Sequence, residues 1–235
     1  MSSYQSDDEQ IEALHKWWKE NGRALITGVV LAVVLVLGWD AWKQQTAKAQ
    51  AEAAVLYQSL LDTAGNPGSV LDDVAYTTAA HLAERLQNDA ARTAYATYAA
   101  LLMARVHIDR GNLDEGLVSL RWASEHAADE TLAQLARLRA SQVQFALGHA
   151  DEALAGLATL PADSYLTPLA LQLKGDIQVS RNERQLAHES YQAAMDWLAA
   201  HDENPIRLLE VKRDALRIAE ASATVPVAGP SPDQP

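Results

Sequence analysis

The sequence has no cysteine, a single phenylalanine and no excess of basic charge, and each lack removes a class of protein. Without thiols there are no disulfides, no thiolate zinc sites and no cysteine nucleophiles. The redox compartment stays open, because a protein of an oxidising space is free to avoid cysteine. Aromatic residues make up 6% of the 235 positions, so the 49% apolar share rests on Ala, Leu and Val. That is the composition of packed helices, not of aromatic-rich strands. Lys and Arg number 19 against 31 Asp and Glu, a formal net charge of −12. Nucleic acid is therefore not an expected partner, since phosphate neutralisation needs a clustered basic face. Phosphate-binding Gly-rich loops, a Gly-x-Ser-x-Gly elbow and His-Glu-x-x-His are also missing. The histidines are scattered, with no two placed four apart on one helix. His107 and Asp109 are two apart in a helix and do not face each other. We expect no catalytic residue, no metal, no cofactor and no enzyme.

Against that background one segment stands out. Ala24 to Trp39 carries no charge, and counting on to Trp42 gives a helix of about 28 Å, which matches a hydrocarbon core. Trp17 and Trp18 upstream, with Trp39 and Trp42 downstream, mark the interfaces. A cleaved signal peptide is the weaker reading. The segment before the run is acidic (Asp7, Asp8, Glu9, Glu12), and the small-residue patterns at Ala47 to Ala51 lie too far past Leu37. Lys16, Lys19 and Arg23 outnumber Lys43 and Lys48, which puts the N-terminal tail in the cytoplasm. Within the span, Ala24, Gly28 and Ala32 repeat every four residues and make a flat face for another membrane helix. Upstream, Ile11, Leu14, Trp17 and Trp18 share one face of a short helix expected to end at Gly22.

Beyond the anchor, helical spacing continues over 44–62, breaks at Gly65-Asn66-Pro67-Gly68 and resumes from Val70 to Leu86. From residue 91 three helix–turn–helix units superpose on their turns at 111, 148 and 182. The intervals of 37 and 34 are close to the tetratricopeptide period. Small residues recur at 104, 141 and 175 and again at 116, 153 and 187, where paired helices approach closely. Gly or Asn at the turn admits positive φ. Asp114-Glu115 and Asp151-Glu152 follow two of these turns, where first-turn carboxylates favour the helix dipole. Asn204-Pro205 opens a last helix whose Leu208, Leu209, Leu216 and Ile218 close the stack, and a Pro-rich tail, expected to be disordered, follows. The fold class is all-α: a transmembrane helix, then a solenoid of helical hairpins. The expected divisions are a tail over 1–23, the anchor over 24–42, a connector and first hairpin over 43–90, repeats with their cap over 91–223 and the tail over 224–235.

This layout resembles the ancillary subunit of the bacterial Sec translocon, the YfgM-like family. The likeness is carried by Glu12-Ala-Leu-His-Lys-Trp-Trp-Lys-Glu-Asn-Gly-Arg23 running into the anchor, and by Gly38-Trp39 with Trp42. Leu138-Arg139-Ala-Ser-Gln-Val-Gln, Asp151-Glu152-Ala153-Leu154 and Leu173-Lys174-Gly175-Asp176 continue it. The resemblance implies an inner-membrane protein with its repeat domain in the periplasm. It also implies association with Sec translocon subunits and a membrane-anchored periplasmic chaperone, and help in passing exported client chains onward. A cytoplasmic role in restraining a stress-response regulator is implied as well. A repeat scaffold for a division or wall-synthesis complex fits the anchor and repeats equally. Repeat stacks bind partners on the face made by the first helix of each hairpin, here near 97–109, 134–147 and 169–180. Arg105, Gln142, Gln144 and Gln178 are the polar residues expected to be exposed there.

Overall fold

The structure is a computed structural model and describes residues 4–66 and 68–223. Among the described residues there are nine α-helices and no strand, and the chain forms two compact units, divided between Glu52 and Ala53. The Pro-rich tail over 224–235 lies outside the described residues.

Helix α1 spans Tyr4–Ala64 without a break. The expected stop at Gly22 is not there. A lone glycine costs a helix only about 1 kcal/mol relative to alanine, and no proline precedes Pro67 to end it. Gly22 is buried beneath its own helix's Trp18 indole, whose Cε2 would lie 3.2 Å from an added Cβ. From Ile26 onward α1 is long and apolar enough to cross a membrane, and none of its most apolar eighteen-residue window is buried in the protein. Val29, Val34, Leu35 and Leu37 all point outward, as do Trp39 and Trp42. An apolar run of this length with no protein partner is what a bilayer core covers.

The second unit begins with the last turns of α1 and continues through α2 (Asp73–Asp89), α3 (Ala94–Asp109), α4 (Leu113–Glu125) and α5 (Glu130–Ala146). It ends with α6 (Ala150–Leu157), α7 (Thr167–Ser180), α8 (Arg184–Ala200) and α9 (Arg207–Ala223). Local chemistry sets these limits. Asp72 starts α2 by accepting from the Ala75 N–H at 2.8 Å, and Asp129 starts α5 in the same way with Leu132 at 2.9 Å. Pro168 sits in the first turn of α7.

The three hairpin turns close alike. Gly111, Gly148 and Asn182 take φ of 82°, 86° and 61°. The next amide in each case reaches back five residues: Asn112 to the His107 carbonyl, His149 to that of Gln144 and Glu183 to that of Gln178, at 2.8–2.9 Å. This is the Schellman closure, and it satisfies carbonyls that a helix end leaves open. The helices pair as the spacing predicts: α3 on α4, α5 on α6, α7 on α8, with α4 on α5 and α8 on α9 joining successive pairs.

Small residues make the crossings. Ala104, Ser141 and Gly175 are buried on the first helices and Gly116, Ala153 and Ala187 on the second; the close approaches are Gly116 to the Ala104 carbonyl, Gly156 to Ser141 and Gly175 to Tyr191. Between the crossings larger side chains fill the layers. Leu60 and Leu86 bind the end of α1 to α2, Leu138 joins α5 to α6 and α7, and Leu209 seats α9 on α8. Each such leucine, fully buried, is worth about 1.5–3 kcal/mol of transfer energy. Leu216 is buried with Leu209, but Leu208 faces solvent, and the side chain of Ile218 lies outside the described residues. Helix α9 starts at Arg207, two residues after Pro205, so the proline precedes the helix and does not sit in its first turn.

Candidate functional site

The inner faces of α3 and α5 meet over α4 in a groove of about 560 Å³. Leu101, Arg105 and Ile108 project from α3, and Leu135, Arg139, Gln142 and Ala146 from α5. Ala104, Leu113, Leu120 and Val143 form the floor. These positions fall three and four apart on each helix, so one face of each supplies its wall. The surface is apolar, with a polar edge of two arginines and one glutamine.

The four polar residues expected on this face divide into two pairs. Arg105 and Gln142 line the groove. Arg105 is also a structural strut: Nη2 donates to the Ala64 carbonyl at 3.0 Å, and Nε lies 3.7 Å from Asp109 Oδ2. It ties the end of α1 to α3. Gln144 and Gln178, in contrast, turn toward the second helix of their own hairpin. Gln144 Nε2 donates to Glu152 on α6 at 3.2 Å. Gln178 is 7% exposed and accepts a hydrogen bond from the Ser190 hydroxyl of α8 at 2.7 Å. The expectation of an exposed Gln178 is therefore wrong: it is hairpin glue. His107 occupies the same repeat position, packs edge-on to Tyr76 at 5.7 Å and leaves its buried Nδ1 without a partner. Burial pushes its imidazole below the usual value of 6.5, with Glu115 pulling the other way.

Two groups escaped the sequence reading. Arg139, one turn before Gln142, donates from Nη1 to Gln142 Oε1 at 3.1 Å. The helical period places it on the groove face, and that was the available signal. At the far end, Asp176 of α7 receives Lys212 of α9 on both oxygens at 2.7 Å and the Tyr191 hydroxyl at 2.7 Å. Burial first, and the Asp176 carboxylate second, push the Tyr191 phenol well above its usual range. This trio fastens the last helix to the stack, and nothing in a linear pattern announces it.

In the membrane segment, Gly28 has nothing within 4 Å of an added Cβ, and Ala32 is exposed. The side chain of Ala24 lies outside the described residues. Among the described residues no group of three or more His, Asp or Glu is placed to hold a metal.

The chain matches the tetratricopeptide repeat-like domain family over residues 15–218. It is 32% identical over 188 residues to the ancillary SecYEG translocon subunit of Haemophilus influenzae, covering 80% of this chain and 88% of that protein. To the ancillary SecYEG translocon subunit of Escherichia coli it is 27% identical over 197 residues, covering 83% and 90%. The protein of the same name from Neisseria gonorrhoeae is 26% identical over 217 residues, 92% of this chain and all of that one. No solved structure is significantly similar. Anchor and hairpins thus follow one another in this chain along nearly the whole length of those relatives, and the chain belongs to the family of ancillary SecYEG translocon subunits with a tetratricopeptide repeat-like domain.

Proposed function

We propose that this protein is a membrane-anchored interaction module beside the Sec translocon, which links it to a periplasmic chaperone and helps pass exported chains onward. The observation that carries this reading is the full-length likeness to relatives named as ancillary SecYEG translocon subunits. Family membership also makes it a non-enzymatic scaffold, and the unburied apolar helix fits an inner-membrane protein. In this reading residues 1–23 are cytoplasmic, 24–42 span the membrane, and the connector over 43–90 leads to repeats over 91–223 in the periplasm. The face with Gly28 and Ala32 meets a translocon helix, and the α3–α5 groove serves a periplasmic partner. Support for the orientation comes from the Lys/Arg bias across the span.

The test has two arms. Alkaline phosphatase fused after Ala223 should be active, because that enzyme matures only outside the cytoplasm. Tagged full-length protein should also bring translocon subunits out of mildly solubilised membranes, and a photo-crosslinker at Gly28 should mark one of them. An inactive fusion refutes the orientation, and purification without translocon subunits refutes the association.

A further inference from the structure

The groove between α3 and α5 stands apart from the rest of this acidic protein. Its lining includes two arginines and no carboxylate, although the chain as a whole carries a net charge of −12. The two arginines are not equivalent. Arg105 already serves the Ala64 carbonyl and faces Asp109. Arg139 is exposed and has no carboxylate partner among the described residues; its bond to Gln142 Oε1 is to a neutral group. That bond fixes both side chains at the groove's edge, and it leaves the Gln142 amide N–H groups and the remaining guanidinium N–H groups as donors. Beside these donors lies an uncovered apolar surface, with Ile108 36% exposed and a volume in the range of pockets that hold ligand side chains.

We infer that this groove binds a short protein segment in which an aliphatic side chain lies close to a carboxylate, the aliphatic group entering between Leu135 and Ile108 and the carboxylate pairing with Arg139 and Gln142. The inference rests on the proposed role as an interaction module and specifies the chemistry of the partner. Charge complementarity selects the occupant. An apolar segment alone would leave the Arg139–Gln142 donors facing only water. A basic segment would meet two guanidinium groups. An acidic segment without aliphatic side chains would leave the groove uncovered. A carboxylate on a guanidinium makes a charge-assisted, geometrically specific pair, stronger than a neutral bond.

The experiment uses the full chain in a neutral detergent and fluorescence anisotropy with short fluorescein-labelled peptides. One peptide is built of Leu, Gly and Glu; in a second every Glu is replaced by Gln. The Glu peptide should bind about tenfold more tightly than the Gln peptide, the scale of one charge-assisted contact. Arg139→Gln, at an exposed position, should keep the native far-ultraviolet circular dichroism and lose that preference. Equal binding of both peptides, a preference that survives Arg139→Gln, or binding of neither peptide overturns the inference. So does self-association of the chain through this face, read by sedimentation and abolished by Arg139→Gln. The translocon purification described above separates the two levels. If it succeeds while the peptide preference is absent, the inference fails and the proposed function stands. If it fails, the proposed function falls whatever the peptides do.

Discussion

Gly175 offers a test in which two physical effects have opposite signs. It lies inside α7 in ordinary helical geometry, where alanine is favoured over glycine by about 1 kcal/mol. Propensity alone therefore says that Gly175→Ala stabilises the protein. The packing says the reverse. A Cβ at this position would lie 2.4 Å from Tyr191 Cε1, 2.7 Å from Cδ1 and 2.9 Å from Cζ. The ring cannot swing away cheaply. Tyr191 is 2% exposed, its hydroxyl donates to Asp176 at 2.7 Å, and Asp176 is held by Lys212 of α9. To reach ordinary contact distance the ring must shift by about 1 Å and carry that polar trio with it. Overpacking of this kind costs about 1–3 kcal/mol, and a ring held at both ends belongs in the upper part of that range. The net expectation is a loss of about 1–2 kcal/mol, or roughly 3–6 °C in Tm for a unit of this size. Urea and thermal unfolding of a fragment from Lys48 to Ala223, followed by circular dichroism, measures it. That fragment should be soluble and strongly helical, since it contains all of the repeat core and none of the anchor. In a Tyr191→Leu background Gly175→Ala should cost less than in the native fragment, because the clashing edge is gone. A stabilised Gly175→Ala fragment would refute the close approach of α7 and α8 as described.

Ala187 lies at the same crossing from the α8 side and is fully buried, so Ala187→Leu should cost about 1–3 kcal/mol in the same urea titration; a neutral result would place the crossing elsewhere. His107 supplies a pH dependence. Its folded pKa is depressed, so the unfolded chain takes up the proton more readily, and stability present above about pH 6.5 is lost as the pH falls through the folded value. The fragment should therefore lose stability between about pH 7 and pH 5, and His107→Gln should flatten that slope; identical slopes would refute the assignment.

The turns were legible from the sequence because the left-handed region is an unambiguous demand: few residues other than Gly and Asn meet it, and they recur at 111, 148 and 182. The small residues at the crossings were legible for a similar reason, since only they let helix backbones approach. Gly22 misled because its propensity cost is small and Trp18 covers it within the same helix. In α5, residues 142 and 144 differ by about 200° of helical rotation, so Gln142 and Gln144 cannot share a face. In the repeat register of Arg105 and Gln142, the third position is Asp176, not Gln178, and Lys212 from α9 already occupies it. Arg139 could have been placed by the period. The Asp176–Tyr191–Lys212 trio could not, because its members come from three helices.

The left-handed closures bear on how such a chain evolves. Each turn satisfies its own carbonyls through an amide of the same hairpin, at 112, 149 and 183, so no turn depends on a neighbouring hairpin for its geometry. The dependence between hairpins sits mainly in apolar layers, with a few partly exposed ion pairs such as Arg181 with Asp151 at 2.6 Å beside them. Such layers tolerate exchange of one aliphatic side chain for another better than a polar network does. A hairpin is consequently a transferable block. A lineage that duplicates or deletes a stretch of about 34 residues keeps every remaining turn intact and has only one new apolar seam to refit. In such an architecture the number of hairpins is physically less constrained than the spacing within any one of them.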